Sequence, residues 1–190
     1  MREDDRKRAI EIAKSKIAGQ PLYLDTETTG LGPGDEIVEI SILDSEGEVL
    51  LDSLVRPVKK IPPDAVAIHG ITDETVRDAL TWADIWPEVA RVIEGMEIAI
   101  YNAEFDLRMM RQSHGLYRLQ WDLPTATTTC IMHLYAQFYG AWNPSHRTYR
   151  WQSLENAGRQ CNISLPNTHR AKDDAALARA VLHHIARASM

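Results

Sequence analysis

The chain's pattern predicts an α/β fold: a mixed sheet of about five strands, the first three antiparallel, flanked by α-helices. Three observations carry this. First, three apolar runs lie close together near the N-terminus, at Leu22–Leu24, 37–43 and 48–55. The last two are separated by Ser45-Glu46-Gly47, a hairpin turn. Second, helical periodicity and short apolar segments alternate through the rest of the chain, as expected when helices pack on a sheet. Third, the 190 residues are 44% apolar and 25% charged, without repeats or low-complexity linkers, which suits one ordinary domain spanning 1–190.

In chain order, residues 3–18 place Ile10, Ala13 and Ile17 on one side of an amphipathic helix, and Gly19-Gln20-Pro21 stops it. This helix is an appendage (residues 1–19) to a core at 21–188. Leu22-Tyr23-Leu24 starts a buried strand running into Asp25-Thr26-Glu27, and Gly30, Gly32, Pro33 and Gly34 mark the following loop. After the strands at 37–43 and 48–55, a proline-bearing loop reaches Ile68-His69-Gly70-Ile71-Thr72. Residues 73–94 read as helix in two pieces. Thr81 caps the second with Asp84 as its box partner, and Ile85, Val89, Val92 and Ile93 form its apolar stripe. Glu97 to Tyr101 is a short strand, and Asn102 caps the next helix. A short strand at 126–129 precedes helices at about 130–139, 151–161 and 173–188.

Composition excludes several classes. No apolar stretch is long enough for a membrane span, and no secretory core follows the charged N-terminus. Cys130 and Cys161 stand apart, which argues against a disulfide framework or a zinc knuckle; they read as core thiols in a reducing, cytoplasmic protein. The net charge of −6 argues against extended binding to a nucleic-acid backbone, which favours basic surfaces. An acidic chain can still process nucleic acid where bound cations supply positive charge locally. Clustered carboxylates are therefore the feature to seek.

Asp25 and Glu27 alternate on a strand and share a face, which is costly on a buried strand unless a cation neutralises them. Asp44-Ser45-Glu46 has the same spacing but lies in a turn, where solvated acids are expected. Asp106 shares a helix face with Met109 and Met110, so it points toward apolar surroundings. Its plainer explanation is compensation of the helix dipole. His169-Arg170-Ala171-Lys172-Asp173-Asp174 offers two adjacent acids. Asp174 aligns with Ala178, Val181 and Ile185, whereas Asp173 aligns with Ala180 and His184, so Asp174 should face inward. Together these give four acids from three strand–helix boundaries plus one titratable base. Four carboxylates carry about four negative charges, enough for two divalent cations, and all-oxygen ligands favour magnesium or manganese. Two such ions suit phosphodiester hydrolysis, with a histidine of ordinary pKa near 6.5 as base for the attacking water.

These residues resemble a known family. Asp25-Thr26-Glu27-Thr28-Thr29-Gly30-Leu31 resembles the first motif of the DEDDh 3′–5′ exonucleases, Asn102-Ala103-Glu104-Phe105-Asp106 the second, and His169 to Asp174 the third. Val66-Ala67-Ile68-His69-Gly70-Ile71-Thr72 resembles the intervening loop of the DNA polymerase III epsilon proofreading branch. The resemblance covers about residues 21–188. It implies a ribonuclease H-like sheet, Asp25, Glu27, Asp106 and Asp174 as ligands of two Mg²⁺ ions (Mn²⁺ substituting), and His169 as general base. It also implies release of nucleoside 5′-monophosphates from single-stranded or frayed 3′ ends of DNA. Thr28, Gly30, Leu31, His69 and Asn102 are its substrate-binding candidates, with Leu31 wedged against the terminal base. For His69, packing of the Gly-Ile-Thr turn is the competing reading.

An RNA-directed enzyme of the same family and a catalytically silent binding or polymerase-scaffolding domain are the alternatives. An intact set of acids and base argues against the silent domain. A polymerase partner is compatible, but no C-terminal tether follows the last motif helix, so a stand-alone enzyme or a catalytic domain is expected. Trp142, Tyr149 and Trp151 flank His146, Arg147 and Arg150. The segment either stacks single-stranded bases or anchors a helix in the core through Trp151.

Overall fold

The computed structural model describes residues 3–124, 127–165 and 167–189. Met1, Arg2 and Met190 of the expected domain, and Ala126 of the expected strand, lie outside the described residues. Among those described, the main sheet has six strands: β1 (Leu22–Thr28), β2 (Ile37–Leu43), β3 (Val49–Arg56), β4 (Leu80–Thr81), β5 (Glu97–Ile100) and β6 (Thr127–Cys130), in the order β4-β3-β2-β1-β5-β6. β1, β2 and β3 pair antiparallel, while β5 joins β1, β6 joins β5 and β4 joins β3 in parallel. The two-residue β4 was not expected from sequence; it extends the edge beyond β3.

The alternation of β1 sorts its side chains into two layers. Tyr23 joins the core beneath α1 (Glu3–Ala18), α5 (Ile131–Tyr139) and α7 (Ala171–Arg187). Leu22 and Leu24 join the core beneath α3 (Trp82–Ile93) and α4 (Ala103–Leu116). Helix α1 packs on α5 and α7. Ala9, Ile10 and Ala13 are fully buried against the α5 and α7 layer, and Ile10 alone contributes about 1.5–3 kcal/mol of burial. No helix among the described residues is long and apolar enough to cross a membrane.

Three segments differ from the sequence reading. Residues expected as loop form helix α2 (Pro63–His69): Pro63 is pre-organised for a first turn, and Gly70 closes the helix in the left-handed region, its N–H bonded to Val66 O at 2.8 Å. Residues 73–79, expected as helix, form turns instead. The Thr72 and Thr75 side chains bond each other's backbone N–H groups as at a helix start, and the Val76 N–H bonds Thr72 O, but the Arg77 N–H then bonds Glu74 O and the Ala79 N–H bonds Val76 O, three-residue steps that close turns instead of continuing a helix. The stretch after α5 forms a small hairpin, β7 (Trp142–Asn143) and β8 (Thr148–Tyr149). Helix α3 does begin with the Thr81–Asp84 capping box. Asn102 occupies the N-cap position of α4, but its side chain makes no cap bond. The remaining helix, α6 (Leu154–Gln160), is capped by Ser153.

Candidate active site

The acids of β1 lie where the strand leaves the sheet. Asp25 pairs with Ser41 and Glu27 with Glu39 across β2, and the register shifts between Glu27 and Thr28. Such a bulge turns a strand end and re-aims its side chains. By alternation, Asp25 and Glu27 point toward the α7 layer and Thr26 toward the α4 layer. Asp106, in the first turn of α4, accepts the Thr26 N–H at 3.1 Å and the Thr26 hydroxyl at 2.8 Å through one oxygen. Its carboxylate is thereby fixed at the rung between the two β1 acids.

Asp174 enters from the start of α7. It is buried, accepts from Asn167 Nδ2 at 3.0 Å, and lies 4.0 Å from His169 Nδ1. Its Oδ1 is buried with no hydrogen-bond partner among the described residues. Asp173 turns away and accepts the Thr168 hydroxyl at 2.7 Å, as the helical phasing requires. Asp25, Glu27, Asp106, Asp174, His169 and Asn102 all line one cleft of about 260 Å³.

Burial and mutual repulsion raise the affinity of these acids for protons. Glu27 is pushed up to about 8, first by burial and then by Asp174, Glu39 and Asp106. Asp106 is pushed up to about 7 by burial, against the opposing bonds from Thr26. Asp174 is pushed up to about 6 by burial, with His169 opposing. Asp25 is held well above the usual carboxylate range by burial and by Asp106, Asp174 and Glu27. Four crowded carboxylates with an orphaned buried oxygen are the donor set of a hard divalent cation, so the residues present fit such ions. One oxygen each of Glu27 and Asp174 and one His169 nitrogen lie within 4.8 Å of one another.

The expected substrate-binding residues fall on two adjoining hollows. Asn102 lines the acidic cleft; Thr28, Gly30, Leu31 and His69 line a neighbouring cavity of about 300 Å³, with Thr26, Glu27 and Phe105 shared between the two. Leu31 is 77% exposed at the tip of its loop. Gly30 has a local reason to be glycine, since a Cβ there would meet Asp35 Oδ2 at 2.7 Å. Asp35 holds the loop by accepting the Thr29 hydroxyl and the Gly32 N–H. The His69 ring is buried, accepts the Ile71 N–H through Nδ1 and bonds Thr28 O through Nε2. It braces the Gly-Ile-Thr turn against the end of β1.

Sequence reasoning missed Glu39. It is 3% exposed, binds the Arg170 guanidinium and accepts the Ala171 N–H at 2.8 Å. The signal was present: a single glutamate in the otherwise apolar 37–40 run, on a fully buried strand, needs a partner.

The exonuclease family model (RNase_T) matches residues 22–182. The chain belongs to this exonuclease family. It is similar to the uncharacterized exonuclease CP81 of Escherichia phage 186, with 39% identity over 181 residues covering 92% of each chain. It is also similar to the DNA polymerase III subunit epsilon of Escherichia coli K12, with 33% identity over 119 residues, 57% of this chain and 48% of that subunit. The match thus spans about half of the epsilon subunit. Among solved structures, exonuclease X in complex with 5′ overhanging duplex DNA superposes with a TM-score of 0.63 at 30% identity, covering 86% of this chain and 89% of that one. The nuclease domain of 3′hExo, a DEDDh family member, shares the fold with a TM-score of 0.69 at 18% identity, over 86% and 89% of the two chains. The ribonuclease H-like architecture and the exonuclease assignment expected from the motifs agree with these matches.

Proposed function

We propose that this chain is a 3′–5′ exodeoxyribonuclease that removes nucleoside 5′-monophosphates from single-stranded or frayed DNA ends. The observation that carries this reading is the convergence of Asp25, Glu27, Asp106 and Asp174 on one cleft, with His169 beside Asp174. Asp25, Glu27, Asp106 and Asp174 would hold two magnesium ions, with manganese substituting. Bound there, the ions supply Lewis acidity to the scissile phosphate and neutralise the acids. His169 sits on the half-exposed rim and takes the proton of the attacking water as its oxygen bonds phosphorus. The bond from phosphorus to the 3′ oxygen of the shortened strand breaks, and that oxygen takes up a proton. The exposed Leu31 and the Phe105 ring flank the hollow beside the acids, where the terminal nucleotide sits. The preference for DNA is supported by the likeness to exonuclease X and the epsilon subunit.

The direct test uses 5′-labelled DNA and RNA of matched sequence with Mg²⁺, an EDTA control and the Asp25→Ala variant. A ladder shrinking from the 3′ end, faster on DNA and lost in both controls, is expected. Faster loss of RNA would move the substrate to the other polymer; no ladder with either metal would remove the catalytic reading.

A further inference from the structure

The acids of this chain are unevenly spread. None lies between Asp122 and Glu155, although the whole chain is acidic. That interval carries α5, the β7–β8 hairpin and the entry to α6. Trp151 is 63% exposed and Trp142 43% exposed. An exposed tryptophan forfeits the burial that usually accounts for this residue, so the core-anchor reading of Trp151 does not hold. Its ring lies 5.8 Å from that of the exposed His133, tilted by 37°, and both border a hollow of about 390 Å³ with Thr148, Tyr149 and Gln137. His146, Arg147 and Arg150 are exposed in the same segment and make no ion pair among the described residues. The hairpin itself is tied down, since the Arg150 N–H bonds Ala141 O and the Tyr149 hydroxyl donates to Asp5 of α1.

This surface adjoins the acidic cleft. Ser153, two residues after Trp151 and so within about 7 Å along the chain, lines that cleft. Tyr101, also on the cleft wall, donates its hydroxyl to the carbonyls of Gln152 and Ser153, which fixes the connecting backbone. A strand whose 3′ end sits among the acids must leave the cleft. One wall of that exit leads to exposed rings and to exposed cations without an ion pair among the described residues, the combination that holds single strands without reading sequence.

We propose that Trp151, with Arg147 and Arg150, forms a stacking and phosphate-binding platform for the single strand upstream of the 3′ end. The proposal rests on the exonuclease reading of the cleft. The platform binds bases through ring faces and phosphates through the arginines, so it accepts any sequence. It acts on the strand and not on the reacting phosphate, so it sets affinity for long substrates and leaves turnover unchanged.

The test compares a dinucleotide with an octathymidylate, in hydrolysis with Mg²⁺ and in binding with EDTA by quenching of tryptophan fluorescence. The wild type is expected to show a lower KM for the octamer. Trp151→Ala should raise the octamer KM about tenfold, the order expected for one lost stacking contact, with kcat and the dinucleotide KM unchanged. Trp151→Phe should restore most of the affinity. The joint Arg147→Ala and Arg150→Ala variant should flatten the salt dependence of octamer binding. An octamer KM unchanged in Trp151→Ala, with wild-type hydrolysis present, overturns the platform and leaves the nuclease intact. Octamer quenching lost in Trp151→Ala, with no hydrolysis by the wild type, supports the platform and removes the nuclease. Absence of quenching and of length dependence in the wild type overturns the platform outright.

Discussion

Glu39 on β2 grips Arg170, the residue after His169, with both carboxylate oxygens 3.1 Å from Nε, and holds the first N–H of α7 with the same group. His169 adopts a left-handed backbone, φ 53°, immediately before this anchor. A non-glycine residue there is strained and stays put only where its surroundings over-determine it. Glu39 thus positions the histidine and the inward turn of α7 that carries Asp174. Glu39→Gln keeps the shape but removes the charge from the clamp. Turnover should fall about tenfold while the octamer KM stays within twofold, as for an effect confined to positioning. Stability should fall by about 1–2 kcal/mol, the lower part of the range for a charged hydrogen bond because Arg170 is half-exposed. Unchanged kcat in steady-state assays would reduce Glu39 to an architectural residue.

The neighbouring acids of α7 separate function from composition. Asp174 faces the cleft and Asp173 faces Thr168. Asp174→Ala should abolish strand hydrolysis at any practical Mg²⁺ concentration; Asp173→Ala should retain most of it. Matched assays of the two variants decide the matter, and the reverse ranking would move the ligand to Asp173.

How much of this was legible beforehand depends on the kind of signal. β1 and the inward phase of Asp174 could be read because periodicity reports which face is buried. The α3 capping box could be read because both partners are local. Helix α2 was hidden behind Pro62 and Pro63, which signal a loop as readily as a helix start. The turns at 73–79 were hidden because Thr72 and Thr75 begin the segment as a helix would, and the three-residue backbone steps that follow are not registered by periodicity. Asn102 sat at the N-cap as expected, yet its side chain makes no cap bond; position does not fix rotamer. Glu39 and Arg170 meet across a separation of 131 residues, and no local pattern carries such a pairing.

His169 is 51% exposed on its side chain, whereas Asp174 beside it is 8% exposed. A base that collects a proton from water and returns it to solvent needs that access; a ligand would gain from burial. His169→Ala should therefore lower kcat by about a hundredfold or more, within the usual range for a general base, and change the Mn²⁺ dissociation constant by less than about threefold. Calorimetric titration with Mn²⁺ beside single-turnover hydrolysis separates the two effects. Parallel losses in both would make His169 a ligand, a role its proximity to Glu27 and Asp174 also permits.

The acid cluster should cost the protein stability as pH rises when no divalent cation is bound. Glu27, Asp106 and Asp174 take up protons at about 8, 7 and 6 in the folded chain, and Asp25 is raised as well, against 4.5 for an ordinary glutamate and 3.8 for an ordinary aspartate. Between those limits these four groups bind more protons in the folded than in the unfolded state, so their contribution to stability falls as pH rises. The contribution is complete below about pH 4 and is lost as pH climbs through the folded values. In EDTA, Tm should drop by at least about 5 °C between about pH 5 and pH 8. On the proposed reading, divalent cations would bind the deprotonated acids and reverse the sign of the effect, so the Tm gain on adding Mg²⁺ should be larger at about pH 8 than at pH 6. Asp25→Asn removes one crowded charge and should flatten the EDTA profile while shrinking the Mg²⁺ gain. Differential scanning calorimetry of both proteins, with and without Mg²⁺, checks each part. A wild-type Tm in EDTA that is flat or rising over this range would mean the four carboxylates are already neutralised by groups other than cations, and the metal reading of the cleft would fall with it.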